Sequence, residues 1–302
     1  MKHTNSEETG KSMERYLIMN TDDFGQCSSV NEAIYELLSE GYVSSATIMP
    51  CTPGFEEAAS WCIRKQITNV GLHLTFTSEW ENMKSRSLTH GASLEDERGY
   101  LYPSCEAFAA HAVKTEVIEE IKAQFDRCIS YGLQLSHVDN HMGSLYGLAG
   151  ECYLPYVFEI CAEHNKLPFR FFRKYYKEDF LLGPLDSPEM LATFRAITEL
   201  ADHTGILTPD YLLTHSYAAE PGETYESFKQ MMIGRIYRLP EGISETYIHP
   251  SLNTDEIKHI NPTWQRRVHE YQLMKDEDYR YTLRDAKVIQ ITYRDIARLR
   301  KV

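Results

Sequence analysis

Eight short apolar runs, most of them followed by a stretch of helical periodicity, predict an α/β chain whose parallel strands curl into a single closed or distorted (β/α) TIM-like barrel. Three observations carry that expectation. The strand-then-helix alternation persists along the whole chain. No Gly-rich loop follows the first strand, so a Rossmann or P-loop sheet lacks its phosphate cradle. At 302 residues, with no linker, repeat or low-complexity tract, the chain suits one large barrel rather than several small units.

The elements are expected in the following order. Residues 1–14 are polar, contain no apolar signal-peptide core, and are expected to form a disordered lead before a barrel domain over 15–302. Residues 16–20 form the first strand. Ser29, with Glu32 three residues on, reads as a capping box that opens a helix to residue 40, where Gly41 stops it. A strand over 43–49, a helix over 55–65 and a strand over 70–76 follow. Residues 77–105 are polar with little periodicity; the stretch is too long for a connector and is expected to act as a lid or substrate-binding loop. The clearest amphipathic helix spans 115–131, with Val117, Ile118, Ile121, Phe125, Cys128 and Ile129 at helical spacing. Then come a strand over 135–138, a helix over 153–164 and a strand over 169–172. Ser187-Pro188 opens a helix to residue 201. Strands over 211–214, 244–248 and 288–292 and a helix over 293–301 complete the chain.

Composition narrows the function. The chain carries 31 Lys and Arg against 44 Asp and Glu, a net charge of −13, which argues against nucleic acid or an anionic membrane as partner and suits a neutral or cationic small molecule. A hydrophobic fraction of 42% and a charged fraction of 25% are those of a soluble globular protein, and no run of about 18 apolar residues offers a membrane span. Seven scattered cysteines with no C-x-x-C read as reduced thiols of a cytoplasmic protein. Whether the subunits pair as a homodimer is left open.

Ligands of such sheets sit where strands end at their carboxyl side. The strand ends here deliver Asn20, Asp22 and Asp23; His73; His137, Asp139, Asn140 and His141; Arg170 and Arg173; His215; and His249 followed by Pro250. A lone His on an apolar strand is more often a hydrogen-bonded core residue than a ligand. Adjacent carboxylates, however, repel each other, and at the mouth of a buried strand they call for a positive partner, for which a metal ion is the usual candidate. Several strands placing His or Asp at one rim point to a catalytic site of two imidazoles and one carboxylate around a divalent cation. There the cation polarises a carbonyl and acidifies water, a second carboxylate takes the proton, and a His donates to the leaving group.

Taken in order, the segments Asn20-Thr21-Asp22-Asp23-Phe24-Gly25, Asn31-Glu32-Ala33-Ile34, Gly41-Tyr42-Val43-Ser44-Ser45, Gly71-Leu72-His73-Leu74, Ser136-His137-Val138-Asp139-Asn140-His141 and Glu245-Thr246-Tyr247-Ile248-His249-Pro250 resemble the motifs of the YdjC-like carbohydrate deacetylases of chito-oligosaccharides. The resemblance covers roughly residues 15–298. It implies a deformed (β/α) barrel related to polysaccharide deacetylases, a divalent metal, magnesium or zinc, and removal of N-acetyl groups from short amino sugars. Carried over by position, His73, His141 and Asp23 become the metal ligands, Asp22 the general base and His249 the general acid. Arg170 then lies near the carbohydrate substrate, as do His137, Asp139 and His215 at the same rim. Met142-Gly143-Ser144 stands where the family often adds histidines, which bears on the substrate pocket. Two other readings share the residues: a metal-dependent phosphoesterase or sugar isomerase on a similar barrel, and a non-catalytic carbohydrate-binding protein whose 20 tyrosines stack on sugars.

Overall fold

A computed structural model describes residues 14–301. Seven strands, β1 (Arg15–Phe24), β2 (Ser45–Ile48), β3 (Val70–Leu74), β4 (Val138–Asn140), β5 (Tyr211–Leu213), β6 (Gly242–Ile248) and β7 (Val288–Gln290), form one all-parallel sheet among the described residues. Its order is β4-β3-β2-β1-β6-β5, with β7 also paired to β1. Leu17, Ile18 and Met19 of β1 are buried on both faces, as in a parallel sheet covered by crossover helices. The helices are α1 (Ser28–Ser39), α2 (Phe55–Lys65), α3 (Cys105–His111), α4 (Lys114–Ser130), α5 (Leu154–Glu163), α6 (Pro188–Thr204), α7 (Tyr225–Tyr237), α8 (Asp255–Ile260), α9 (Trp264–Lys275), α10 (Glu277–Asp285) and α11 (Asp295–Arg300).

The barrel is deformed where a strand was expected over 169–172. That segment forms only an isolated bridge, Phe169 to Val138, in which Arg170 N–H donates to the Val138 carbonyl; Phe169 N–H donates to the Leu207 carbonyl and, just beyond the segment, Lys174 N–H to that of Asp210. Between β4 and β5 the wall is thus irregular chain, because Arg170 is drawn inward to buried carboxylates while Phe171 and Phe172 pack outside them. The final strand takes no separate place in the ring. It pairs with residues 15–17 of β1, ahead of the stretch where β2 pairs from Asn20 onward.

One other expectation changes. Ser29 does not cap α1; it lies inside the helix and bonds Thr254 and Glu256, while the helix start has no side-chain cap. Residues 1–13 of the expected lead lie outside the described residues, and the Glu14 carbonyl accepts a bond from Gly242 N–H at 3.0 Å. The 77–105 segment is anchored to α4. The buried Glu120 carboxylate of α4 accepts from Leu88 N–H at 3.0 Å and Thr89 N–H at 2.9 Å, and Leu94 and Leu101 are buried. Among the described residues no helix is long and apolar enough to cross a membrane.

Candidate metal centre

An irregularity at the end of β1 sets up the site. The pairing register with β2 shifts between Thr21 and Phe24, and Asp23 sits at φ 65°, the left-handed region that non-glycine residues rarely adopt. In a regular strand Asp22 and Asp23 would face opposite sides. Here both line one cavity of about 510 Å³ at the carboxyl ends of the strands. Gly25, at φ 99°, completes the turn, where a Cβ would meet the Met49 carbonyl oxygen at 3.2 Å and Phe55 Cα at 3.3 Å.

Asp23 Oδ1 lies 3.5 Å from His73 Nε2 and 3.3 Å from His141 Nδ1, and those two nitrogens are 3.2 Å apart. The far nitrogen of each imidazole meets a carboxylate: His73 Nδ1 is 2.6 Å from Asp139 Oδ1, and His141 Nε2 is 3.0 Å from Glu79 Oε2. Such partners place the proton on the far nitrogen and leave the near lone pair free for a cation. Asp23 Oδ2 accepts from Arg267 Nη2 at 2.6 Å, but Oδ1 is buried without a hydrogen-bond partner. An orphaned buried carboxylate oxygen is costly unless a positive species sits against it. One carboxylate oxygen and two imidazole nitrogens within 4.8 Å of one another therefore fit a single divalent ion. Asp22, His73 and Asp139 also lie close together, yet Arg170 Nη1 already stands 2.6 Å from Asp22 Oδ2 and 2.9 Å from Asp139 Oδ2, supplying the positive charge there.

Arg170 is the hub of the buried charges. It takes both oxygens of Asp22, at 2.6 and 2.7 Å, donates from Nε to Glu245 Oε1 at 2.8 Å, and stacks 4.4 Å from the Tyr247 ring centre. Burial opposes ionisation of Asp22, but the guanidinium outweighs it and holds the carboxyl well below its ordinary range. Burial likewise opposes charge on Asp23, and Arg267 with the two imidazoles overrides it. Burial pushes His73 towards its neutral form, yet Asp139 with Asp23 and Asp22 outweighs it and raises the imidazole to about 9. His249 Nε2 stands 3.9 Å from Asp22 Oδ2 on the opposite wall, and burial lowers its pKa. Glu270 accepts the His249 backbone N–H at 2.7 Å.

Three residues expected to touch substrate do not line the cavity. Successive inward positions of a strand fall in layers, and only the last layer reaches the mouth. On β4 and its approach these layers are His137, Asp139 and His141. His137 is fully buried, stacks on Tyr293 at 3.9 Å and fills the space above Gly71, where a Cβ would meet its ring at 2.6 Å. Asp139 sits one layer up, between His73 and Arg170. His215 is buried against Glu270 at 2.7 Å. Arg170, Asp22 and His249 do line the cavity.

Glu79, Trp80, Arg267 and Glu270 also line it and were not singled out from the sequence. Glu79 and Trp80 belong to the long polar segment, whose length was its only signal. Arg267 and Glu270 sit one turn apart and buried on α9, in a stretch too polar to read as a core helix; two opposite charges at i and i+3 were the available clue.

The sequence profile of the YdjC-like proteins matches residues 16–285. The chain belongs to the YdjC-like family. Relatives within it include a carbohydrate deacetylase of Brevibacillus brevis, 27% identical over 93% of this chain and 99% of that one, and one of Listeria monocytogenes, 24% identical over the same shares. A carbohydrate deacetylase of Geobacillus stearothermophilus is 36% identical over 43% of this chain and 50% of its own length. Among solved structures, a putative cellobiose-phosphate cleavage protein of Enterococcus faecalis superposes with a TM-score of 0.72 at 22% identity, covering 93% of this chain and 98% of that one. That likeness establishes that this YdjC-like chain shares its deformed parallel barrel.

Proposed function

We propose that this protein is a divalent-metal-dependent carbohydrate deacetylase that removes acetyl groups from N-acetylated amino sugars. The single observation that carries the proposal is the buried, unpartnered Asp23 Oδ1 facing two imidazole nitrogens, each backed by its own carboxylate. The names of relatives that match nearly the whole chain support the same activity. Asp23, His73 and His141 would hold the ion, and a donor set with two imidazoles suits zinc better than magnesium. When bound, the ion polarises the acetyl carbonyl and acidifies water.

The other roles fall to residues around it. Asp22, kept ionised by Arg170, accepts the proton of the attacking water; the residue lines the cavity, and while Oδ1 accepts from both Arg170 and Asn20, Oδ2 bonds Arg170 alone and retains a lone pair. His249 protonates the departing amine. Its lowered pKa makes it neutral at rest and a ready donor once it has taken a proton from solvent, and Glu270 fixes its backbone. Asp139, His137 and His215 are assigned supporting positions below the reacting atoms.

Incubation of the zinc-loaded protein with diacetylchitobiose is expected to release acetate, while phosphate release from sugar phosphates stays at background. Absence of acetate across a panel of N-acetylated sugars, with metal content verified, would sink the proposal. Metal affinity is also expected to depend on pH. Below about 9 the ion must displace a proton from His73, and it must displace another from His141, whose burial is outweighed by Glu79 and Asp23 so that its pKa is also raised, so its apparent affinity should weaken by about tenfold to a hundredfold for each unit the pH falls. Competition titrations with a chelating dye from pH 9 down to pH 6 would reveal it; an affinity constant over that interval would refute the ligand assignment.

A further inference from the structure

The cavity that contains the metal donors continues over an apolar wall built by residues 171–197. Immediately after Arg170, Phe171 and Phe172 leave the polar hub, and with Leu182, Leu185, Phe194 and Ile197 they line the same space. Phe194 and Ile197 are three apart on α6 and so share a face. The wall is fixed in place by the buried Asp179. Its Oδ1 accepts from Leu181 N–H at 3.1 Å, Leu182 N–H at 2.9 Å and the Thr214 hydroxyl at 2.6 Å, and its Oδ2 accepts from Thr214 N–H at 2.6 Å.

The chemistry of this wall discriminates between occupants. A further sugar ring brings several hydroxyls, each of which costs free energy when it leaves water without a partner. The Thr214 hydroxyl is already engaged by Asp179 and by Leu181 N–H at 2.9 Å. A hydrocarbon chain loses no hydrogen bonds there and gains about fourfold in affinity for each methylene buried. We infer that the preferred substrate is an amino sugar bearing a hydrocarbon chain that lies along this wall, carried either as an N-acyl group longer than acetyl or as an alkyl aglycone. The inference rests on the amide-hydrolase reading of the metal centre. In either case water adds to the acyl carbon, the C–N bond breaks, the amine leaves with a proton, and a carboxylate and an amino sugar result without any further reactant.

The test pairs turnover with binding, using the zinc-loaded full chain. Hydrolysis of diacetylchitobiose, methyl and octyl glycosides of N-acetylglucosamine, and N-acetyl- and N-octanoylglucosamine is compared. Calorimetry measures binding of octyl against methyl glucosaminide and of octanoate against acetate, none of which can turn over. Two or three buried methylenes suffice for about thirtyfold. The expected result is that one octyl substrate exceeds its short counterpart by at least that factor in kcat/KM, mainly through KM, and that the corresponding octyl product binds more tightly to the same degree. An octyl glycoside effect assigns the chain to the aglycone, an octanoyl effect to the acyl group. Leu185→Trp and Met190→Trp, at partly exposed positions of the wall, should each shrink the octyl-to-methyl ratio. If acetyl sugars are cleaved with no gain from either chain, the inference falls and the deacetylase reading stands. If no amide is cleaved, that reading falls and calorimetry decides alone: tighter octyl binding abolished by Leu185→Trp supports the chain site, and equal binding overturns it.

Discussion

Replacing His73 with alanine is expected to strip the metal and cut acetate release by on the order of a thousandfold, the equivalent of about 4 kcal/mol of transition-state stabilisation. The imidazole supplies one of three donors, and its Nδ1 is held by Asp139. The substitution also leaves Asp23 Oδ1 and Asp139 in a buried pocket with less positive charge around them. Metal content measured by elemental analysis and turnover measured together separate this from simple misfolding, provided the circular dichroism of the variant is that of the parent. The adjacent carboxylates provide the contrast. Asp22→Asn should retain the metal and lose turnover, because both Asp22 oxygens are already taken by Arg170. Asp23→Asn should lose both. Retention of metal by Asp23→Asn together with its loss from Asp22→Asn would reverse the two roles.

The second large effect is on stability. Arg170→Met removes the guanidinium that faces Asp22, Asp139 and Glu245, all of them buried. Leaving buried carboxylates without their cation is expected to cost about 3–5 kcal/mol in urea unfolding. The pH dependence has a definite sign. Arg170 depresses the Asp22 pKa, so the pair contributes stability at neutral pH that disappears as acid protonates the carboxylate in the folded state. The difference between parent and variant should therefore be largest near neutrality and shrink below about pH 4, where the unfolded carboxylates are protonated as well. Burial already raises Glu245 to about 7 with Arg170 beside it. In the variant its carboxyl can stay protonated at neutral pH, which limits the loss. Arg170→Lys keeps a charge without the two-pronged geometry and should fall between parent and Met. A stability equal to that of the parent at pH 7 would mean that the carboxylates are not held by this residue.

Much of the site could be read from residue order because its chemistry sits at strand ends, and strand ends are marked in sequence by the transition from apolar to polar residues. Asp22-Asp23, His73, His141 and His249 each follow such a transition, and the folded chain brings all five to one cavity. The same logic led to His137, Asp139 and His215 for the opposite reason. A strand of period two repeats the same inward direction at every second residue, and composition alone does not state which rung is outermost. His137 shares its inward direction with His141 but lies two layers down, against Tyr293.

Local pattern by itself determined the strand and helix segments whose apolar period was clean, such as α2 and α4, and the strand ends that carry titratable groups. It did so because periodicity and turn chemistry act between near neighbours along the chain. The tertiary structure alone decided that residues 169–172 keep only a single bridge to the sheet while delivering Arg170, that Glu79, Arg267 and Glu270 arrive from remote segments, and that Phe171 to Ile197 extend the cavity with apolar side chains. Those outcomes depend on partners far apart in sequence: Arg170 is 148 residues from Asp22, and Arg267 is 244 from Asp23. Buried charge finds its partner through the fold, and no local period encodes that pairing.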